Sequence, residues 1–165
     1  MRRTIEKWPS RLLSQPSQLV TDFSDGALQS LINDMLEMVQ TDEHAAGLAA
    51  VQVGVPLQVF VVSAKVTGDQ DAVFINPSLE LDQAMPQLVE AEGCLSLPSQ
   101  QVKVKRSRAV TIHAYDRDGQ PFTVVADEFY ARCIQHEYDH LQGITLFNKA
   151  SFAQKERIKR TFRPR

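Results

Sequence analysis

The most informative stretch of this chain is His136-Glu137-Tyr138-Asp139-His140. On an α-helix, positions i and i+4 lie on one face about one turn apart, so both imidazoles can reach a single metal ion. Glu137 then points to the neighbouring flank, where its carboxylate can accept a proton from a water molecule at that ion. This spacing predicts a metal-dependent hydrolase.

The flanks of this stretch predict the helix that carries it. Asp127 is a candidate N-cap and Gly143 a candidate C-terminal stop, so the helix should cover residues 128–142. Along it, Phe129 and Cys133 continue the 3.6-residue spacing of the two histidines. The histidines therefore share an inward-facing apolar stripe, which argues against solvated side chains. Two interpretations stay open, metal ligands or core histidines with satisfied ring nitrogens.

The composition is that of a single soluble globular domain. The chain has 165 residues, 43% of them hydrophobic and 23% charged, and no apolar run reaches the length of a membrane span. Two arginines near the start are followed by no apolar stretch, so we expect no secretory signal and a cytoplasmic location. Two cysteines are too few for a disulfide framework, and Cys133 is expected to be a small core residue.

Charge is unevenly distributed along the chain. Net charge is -2, yet residues 150–165 hold six basic residues against the single Glu156. An acidic body with a basic tail predicts contact with a polyanion such as RNA, and a solvated, fraying terminal helix is the alternative. We therefore divide the chain into a catalytic part, residues 1–149, and a basic C-terminal tail, residues 150–165, within one domain.

The spacing of apolar residues elsewhere predicts an α+β fold. An amphipathic helix is expected over residues 22–41. Strands are expected over residues 58–63, 72–75, 87–91, 101–105, 110–114 and 122–126. Because helices flank many short strands, we expect mostly antiparallel strands packed around the central histidine helix, with a helix near each terminus.

A catalytic metal site needs a third protein ligand beside the two histidines. Acidic residues are too numerous to single one out, whereas Cys94 stands in a distinctive segment, EGCLSLP over residues 92–98. Gly93 permits backbone geometry closed to other residues, and Pro98 stiffens the exit. From this segment alone, a thiolate ligand and an ordinary buried cysteine are equally open.

Three segments together resemble the peptide deformylase family. They are GLAAVQ over residues 47–52, EGCLS over residues 92–96 and QHEYDH over residues 135–140. Their order and spacing agree with the three motifs of that family, and the resemblance runs from about residue 5 to the basic tail. It implies a hydrolase that removes the formyl group from N-formyl-methionyl nascent peptides.

The resemblance also implies roles for individual residues. One divalent ion, Fe²⁺ first and Zn²⁺, Ni²⁺ or Co²⁺ as alternatives, would be held by Cys94, His136 and His140. Glu137 would be the general base, while the side-chain amide of Gln52 and the backbone N–H of Leu95 would stabilise the oxyanion. The substrate-binding set would be Gly47, Gly93, Leu95 and Arg132. Of these, Gly47 would let the peptide backbone approach as an added strand.

Some positions depart from the family pattern or have a structural interpretation. Ala45 stands where the first motif usually has glycine, so a positive φ there would be strained. Gln101 stands where an arginine often follows the second motif, so contacts with the distal end of the peptide should differ. Glu92 is expected to pair with a nearby arginine behind the metal loop, and neither Glu92 nor Arg106 is expected to be catalytic.

Two other functions stay open from the sequence. One is a metallopeptidase with the H-E-x-x-H pattern, although cysteine ligation is unusual in that class. The other is a ribosome- or RNA-binding module in which the metal only holds the fold, with the basic tail as the contact. No membrane or DNA partner is expected.

Overall fold

The structure is a computed structural model that describes residues 3–164. Its helices are α1 (Gly26–Thr41), α2 (Ala64–Thr67), α3 (Glu128–Leu141), α4 (Leu146–Lys149) and α5 (Phe152–Thr161). Its strands are β1 (Gly47–Ala49), β2 (Val59–Val62), β3 (Ala72–Leu81), β4 (Gln87–Cys94), β5 (Leu97–Ser107), β6 (Ala109–Tyr115) and β7 (Pro121–Asp127). Short 3-10 helices cover Arg11–Ser14 and Ala50–Val53.

The strands form two antiparallel sheets. Five of them pair in the order β1-β2-β3-β6-β7, and β4 pairs with β5 in a separate hairpin. The α+β class with antiparallel strands is therefore confirmed. Because β1 stands at one end of the larger sheet, only one of its two sides is used for pairing within that sheet.

Helix α3 lies between the two sheets and contacts β1, β2 and β7 on one side and β5 on the other. Asp127 occupies the predicted N-cap position, although its side chain makes no capping hydrogen bond. The predicted stop is confirmed at Gly143, which has φ of 74°. A Cβ at Gly143 would also lie 2.9 Å from the carbonyl oxygen of Ser14.

Several strands are longer than the apolar patterns predict. β3 continues to Leu81 instead of ending at residue 75. The apolar pattern missed its second half, because that half is largely exposed and carries polar residues that break the alternation. The pairing of β3 with β6 shifts between Ile75 and Ser78, where Pro77 has no N–H to donate to the neighbouring strand. The short β1 was not predicted, since its small residues have no strand signature.

Residues 150–164 of the basic tail are a structured part of the molecule. Within α5, Ile158 is fully buried, and the following Phe162 is 7% exposed. Both join an apolar cluster with Val102 and Val104 of β5. The alternative of a solvated, fraying helix therefore does not describe this segment. No helix formed by residues 3–164 combines the length and apolar character that crossing a bilayer requires.

Candidate metal centre

The β4–β5 hairpin and helix α3 bring together three predicted metal ligands. Cys94 is the last residue of β4, while His136 and His140 lie one turn apart on α3. One ligand atom from each of the three residues lies within 4.8 Å of the other two. Cys94 Sγ lies 3.5 Å from His140 Nε2. The i, i+4 spacing therefore places both imidazoles beside the thiol, as the sequence predicts.

The two histidines are oriented differently. The Nδ1 atom of His136 lies 2.9 Å from Glu92 Oε1, so a hydrogen bond there leaves Nε2 to face the centre. His140 directs Nε2 at Cys94, and its buried Nδ1 has no partner among the described residues. Both rings thus present Nε2 for coordination.

The donor set fits a transition-metal ion. Burial alone would raise the pKa of the Cys94 thiol, but the neighbouring imidazoles of His140 and His136 hold this pKa well below its ordinary value. A thiolate beside two imidazoles is a combination that zinc, iron and nickel accept, whereas magnesium and calcium prefer oxygen ligands. The residues present therefore fit a divalent transition-metal ion.

A buried ion-pair network supports His136 from behind. Glu92 accepts two hydrogen bonds from Arg106, each 3.0 Å long, and a third of 2.6 Å from Arg132. Arg106 also donates to Asp139 at 2.5 Å. Although burial opposes ionisation, hydrogen bonds from His136 and Arg106 lower the pKa of Glu92 to about 2. The expected pairing of Glu92 with an arginine is confirmed, and it involves two of them.

Glu137 lies next to the ligands and against β1. Its side chain is buried, and its Oε2 atom has no hydrogen-bond partner within residues 3–164. Burial raises the pKa of its carboxyl group, although the nearby imidazoles oppose this. A Cβ at Gly47 would lie 3.0 Å from both Cγ and Oε1 of Glu137. The absence of a side chain at Gly47 therefore makes room for this carboxylate.

Gln52 is held with its carboxamide toward the centre. Its Oε1 accepts a hydrogen bond from the backbone N–H of Ala49 at 2.9 Å. Its Nε2 donates to Ser96 Oγ at 3.0 Å and lies 3.6 Å from Cys94 Sγ. Ser96 and Leu95 form the turn between β4 and β5, so the backbone N–H of Leu95 follows directly after the cysteine. Sequence reasoning did not assign Ser96 a role, although it belongs to the EGCLS segment.

One cleft of about 560 Å³ opens beside these residues. Of the predicted site residues, those that line it are Gly47, Gln52, Gly93, Cys94, Leu95, Arg132, His136 and Glu137. His140 lies behind the cleft wall and is 1% exposed. Phe129 and Cys133 add apolar wall to the cleft.

The chain matches a known family. Residues 2–156 match the sequence profile of the family described as polypeptide deformylase. The chain belongs to the peptide deformylase family. A peptide deformylase of Acidobacterium capsulatum is 36% identical over 99% of this chain and 95% of its own length. A peptide deformylase of Chromobacterium violaceum is 40% identical over 86% of this chain and 83% of its own length.

Solved deformylase structures share the fold. The crystal structure of a peptide deformylase from Legionella pneumophila has a TM-score of 0.89 at 33% identity and covers 97% of this chain and 92% of that chain. The cluster of Cys94, His136 and His140, together with membership of the deformylase family, supports a metal-binding site.

Departures from the deformylase motifs have local explanations. Ala45 is not among the residues with positive φ, so the strain considered for it is absent, and its methyl group is buried in the core. The side-chain nitrogen of Gln101 lies 3.0 Å from the position of a Cβ at Gly93. Gln101 thus packs beside Gly93 at the cleft. Arg132 lines the cleft, but its guanidinium is taken up by Glu92 and by backbone carbonyls.

Proposed function

We propose that this chain is a metal-dependent peptide deformylase whose metal ligands are Cys94, His136 and His140. The observation that carries the proposal is the convergence of these three side chains within 4.8 Å at a cleft that also receives Glu137 and Gln52. The substrate is the formyl group on the N-terminal methionine of a nascent peptide. We propose Fe²⁺ as the ion, with Zn²⁺, Ni²⁺ or Co²⁺ as alternatives. When bound, the ion would polarise the formyl carbonyl and favour ionisation of water near neutral pH.

Glu137 is the proton carrier in this proposal. Its Oε2, which has no hydrogen-bond partner among residues 3–164, accepts the proton of the attacking water and then delivers it to the amine that leaves. A carboxyl pKa raised by burial supports this role, because a base whose pKa is closer to neutral can both accept and return a proton. Gly47 leaves the space that the carboxylate needs against β1, since a Cβ there would lie 3.0 Å from Cγ and Oε1 of Glu137.

Gln52 and Leu95 are the proposed oxyanion donors. Negative charge develops on the formyl oxygen as the carbon becomes tetrahedral. Nε2 of Gln52 donates to Ser96 Oγ and, at 3.6 Å, to Cys94 Sγ, and the N–H on the side of Cys94 would turn to the oxyanion. Neutral donors of this kind contribute about 3 kcal/mol each when they are preorganised.

The peptide would bind as an extra strand on β1. This strand uses one side to pair with β2 within the larger sheet, and Gly47 lies at its start beside the cleft. Main-chain pairing at a sheet edge binds extended peptides without reading their sequence. The methionine side chain would enter the apolar part of the cleft between Phe129 and Cys133, and the stem of Arg132 would form a wall.

A direct assay tests the proposal. The metal-loaded protein should release formate from formyl-Met-Ala-Ser and leave acetyl-Met-Ala-Ser intact. Glu137→Gln keeps the shape that contacts Gly47 but cannot accept the proton, so it should retain the metal and lose at least about 10²-fold in kcat. Equal activity of metal-free protein would refute the metal dependence. Cleavage of an internal bond in a blocked peptide would favour the metallopeptidase alternative.

We also propose that α5 contacts the ribosome and that the protein acts in the cytoplasm. Lys159, Arg160 and Arg163 are exposed around this helix. Deleting the tail would remove buried Ile158 and Phe162, so changing the three exposed cations to glutamine is a cleaner test. Pelleting with ribosomes should weaken and lose part of its salt dependence. The matched control neutralises three exposed cations elsewhere, Arg11, Lys103 and Lys105, and unchanged pelleting of the tail variant would contradict the proposed contact.

A further inference from the structure

The segment Glu6–Trp8, called the N-terminal strap here, lies behind the two proposed oxyanion donors. The backbone N–H of Glu6 donates to the carbonyl oxygen of Gln52 at 2.7 Å. The backbone N–H of Trp8 donates to the carbonyl oxygen of Ser96 at 2.9 Å. Three residues of the strap therefore bridge the backbone of the 3-10 helix that carries Gln52 and the backbone of the hairpin turn that carries Leu95.

The strap is the second link between the two segments that carry the donors. The same two segments are joined on the cleft side by the 3.0 Å hydrogen bond from Gln52 Nε2 to Ser96 Oγ. One link is made by side chains and the other by the strap, so the distance between the segments is set from both sides. A change in the position of the strap would change the separation of the Gln52 amide and the Leu95 N–H.

The strap is held in place by an aromatic anchor. The indole of Trp8 stacks on Phe147 of α4 with ring centroids 4.4 Å apart and an angle of 28° between the planes. Phe162, which follows α5, meets the same indole edge-on at 6.0 Å. Trp8 is also packed against the apolar cluster of Leu97 and Ile158. Because offset stacks and edge contacts restrict both position and tilt, the indole fixes the strap at the residue next to Pro9.

We propose that Trp8 is a positioning residue for deformylation, which acts through the strap to hold Gln52 and the Leu95 N–H at the separation that the oxyanion requires. The inference rests on the proposed function, since it needs these two groups to be the donors. Oxyanion donors must lie about 2.7–3.1 Å from the developing charge, so a shift of a few tenths of an ångström already weakens them. The loss should appear in kcat rather than KM, because the charge exists only in the transition state.

Substitutions of Trp8 test this role. Trp8→Ala should lower kcat on formyl-Met-Ala-Ser by about 10-fold to 100-fold, with KM little changed and the metal content intact. Trp8→Phe keeps a ring for Phe147 to stack on and should recover most of kcat. Phe162→Leu keeps apolar volume but removes the edge contact, and it should show a smaller loss of the same kind. The matched control is Tyr115→Ala, which removes a ring paired with Phe23 at 5.7 Å outside the strap and should leave kcat unchanged.

A double-mutant cycle separates positioning from general destabilisation. If Trp8 acts through Gln52, Trp8→Ala should cost clearly less in a Gln52→Ala background than in the wild type. All variants are compared at a temperature where circular dichroism shows them folded. Fully additive losses, an unchanged kcat of Trp8→Ala, or loss of metal together with activity would overturn the inference. Failure of the wild type to deformylate would instead refute the proposed function, and an unchanged kcat of Gln52→Ala would refute the donor assignment.

Discussion

Gly47→Ala is the substitution whose effect the structure determines most directly. The added Cβ would lie 2.9 Å from the carbonyl oxygen of Val61 and 3.0 Å from Cγ and Oε1 of Glu137. Ordinary contacts of a Cβ begin near 3.4 Å, so about half an ångström must be gained on two sides at once. Val61 belongs to β2, which is paired on both sides within the sheet and cannot recede. The adjustment must therefore come from β1 or from the carboxylate of Glu137.

The size of the effect follows from this geometry. Overpacking of a buried site by one methyl group costs about 1–3 kcal/mol of stability. Displacement of a catalytic group by about 1 Å costs on the order of 10²-fold in rate, so a shift of about half an ångström costs roughly 10-fold. We therefore expect Gly47→Ala to remain folded, to keep its metal ion, and to lose roughly 10-fold in kcat. The metal should stay because the nearest neighbours of the new Cβ do not include a ligand.

The assay measures kcat and KM on formyl-Met-Ala-Ser, together with metal content and thermal unfolding of the same preparations. Gly26→Ala is the matched control, because nothing lies within 4 Å of a Cβ there. Gly93→Ala is a useful intermediate case, since its closest neighbour is the movable end of the Gln101 side chain. Wild-type kcat for Gly47→Ala with a full complement of metal would refute the argument that this contact positions Glu137.

The remaining predictions concern the metal and pH. Removing the ion with a chelator should lower the Tm by about 5–10 °C, since a ligand present at 100 times its Kd stabilises by about 2.7 kcal/mol. Cys94→Ala should lose this metal-dependent shift, and an equal shift in that variant would show that the ion binds elsewhere. The fold lowers the pKa of Glu92 from 4.5 to about 2. The ionised carboxylate therefore stabilises the folded state fully above about pH 4.5, and this stabilisation is lost as pH falls toward 2. Urea unfolding should therefore show that Glu92→Gln is less stable than the wild type at pH 7. The difference in their free energies of unfolding should shrink by up to about 3 kcal/mol toward pH 2. A difference that does not depend on pH would contradict this prediction.

The sequence predicted the helix of the two histidines because its signal is local. His136 and His140 need only helical periodicity to share a face, and Gly143 marks the end of the helix through its own φ. Cys94 was different, since nothing in its neighbourhood separates a ligand from a buried cysteine. Its assignment depended on the resemblance of three segments, and the structure then placed its Sγ beside His140.

Contacts between distant segments could not be predicted from the sequence. Arg106 lies between Glu92 and Asp139, and no periodicity relates a residue of a hairpin to one on a later helix. The sequence also could not show why residue 47 is a glycine. A glycine in a small-residue segment indicates close approach, but only the folded chain shows that a carboxylate of α3 is one of the groups that approach.

Trp8 is the single tryptophan of the chain. Its indole is partly buried between two phenylalanine rings, so the near-ultraviolet emission of the whole protein comes mainly from the strap. The molecule therefore carries its own optical reporter at the point where its two terminal segments meet. Any peptide, ion or ribosomal surface that shifts the strap will change the wavelength or intensity of that emission. The change can be followed in real time without attaching a dye.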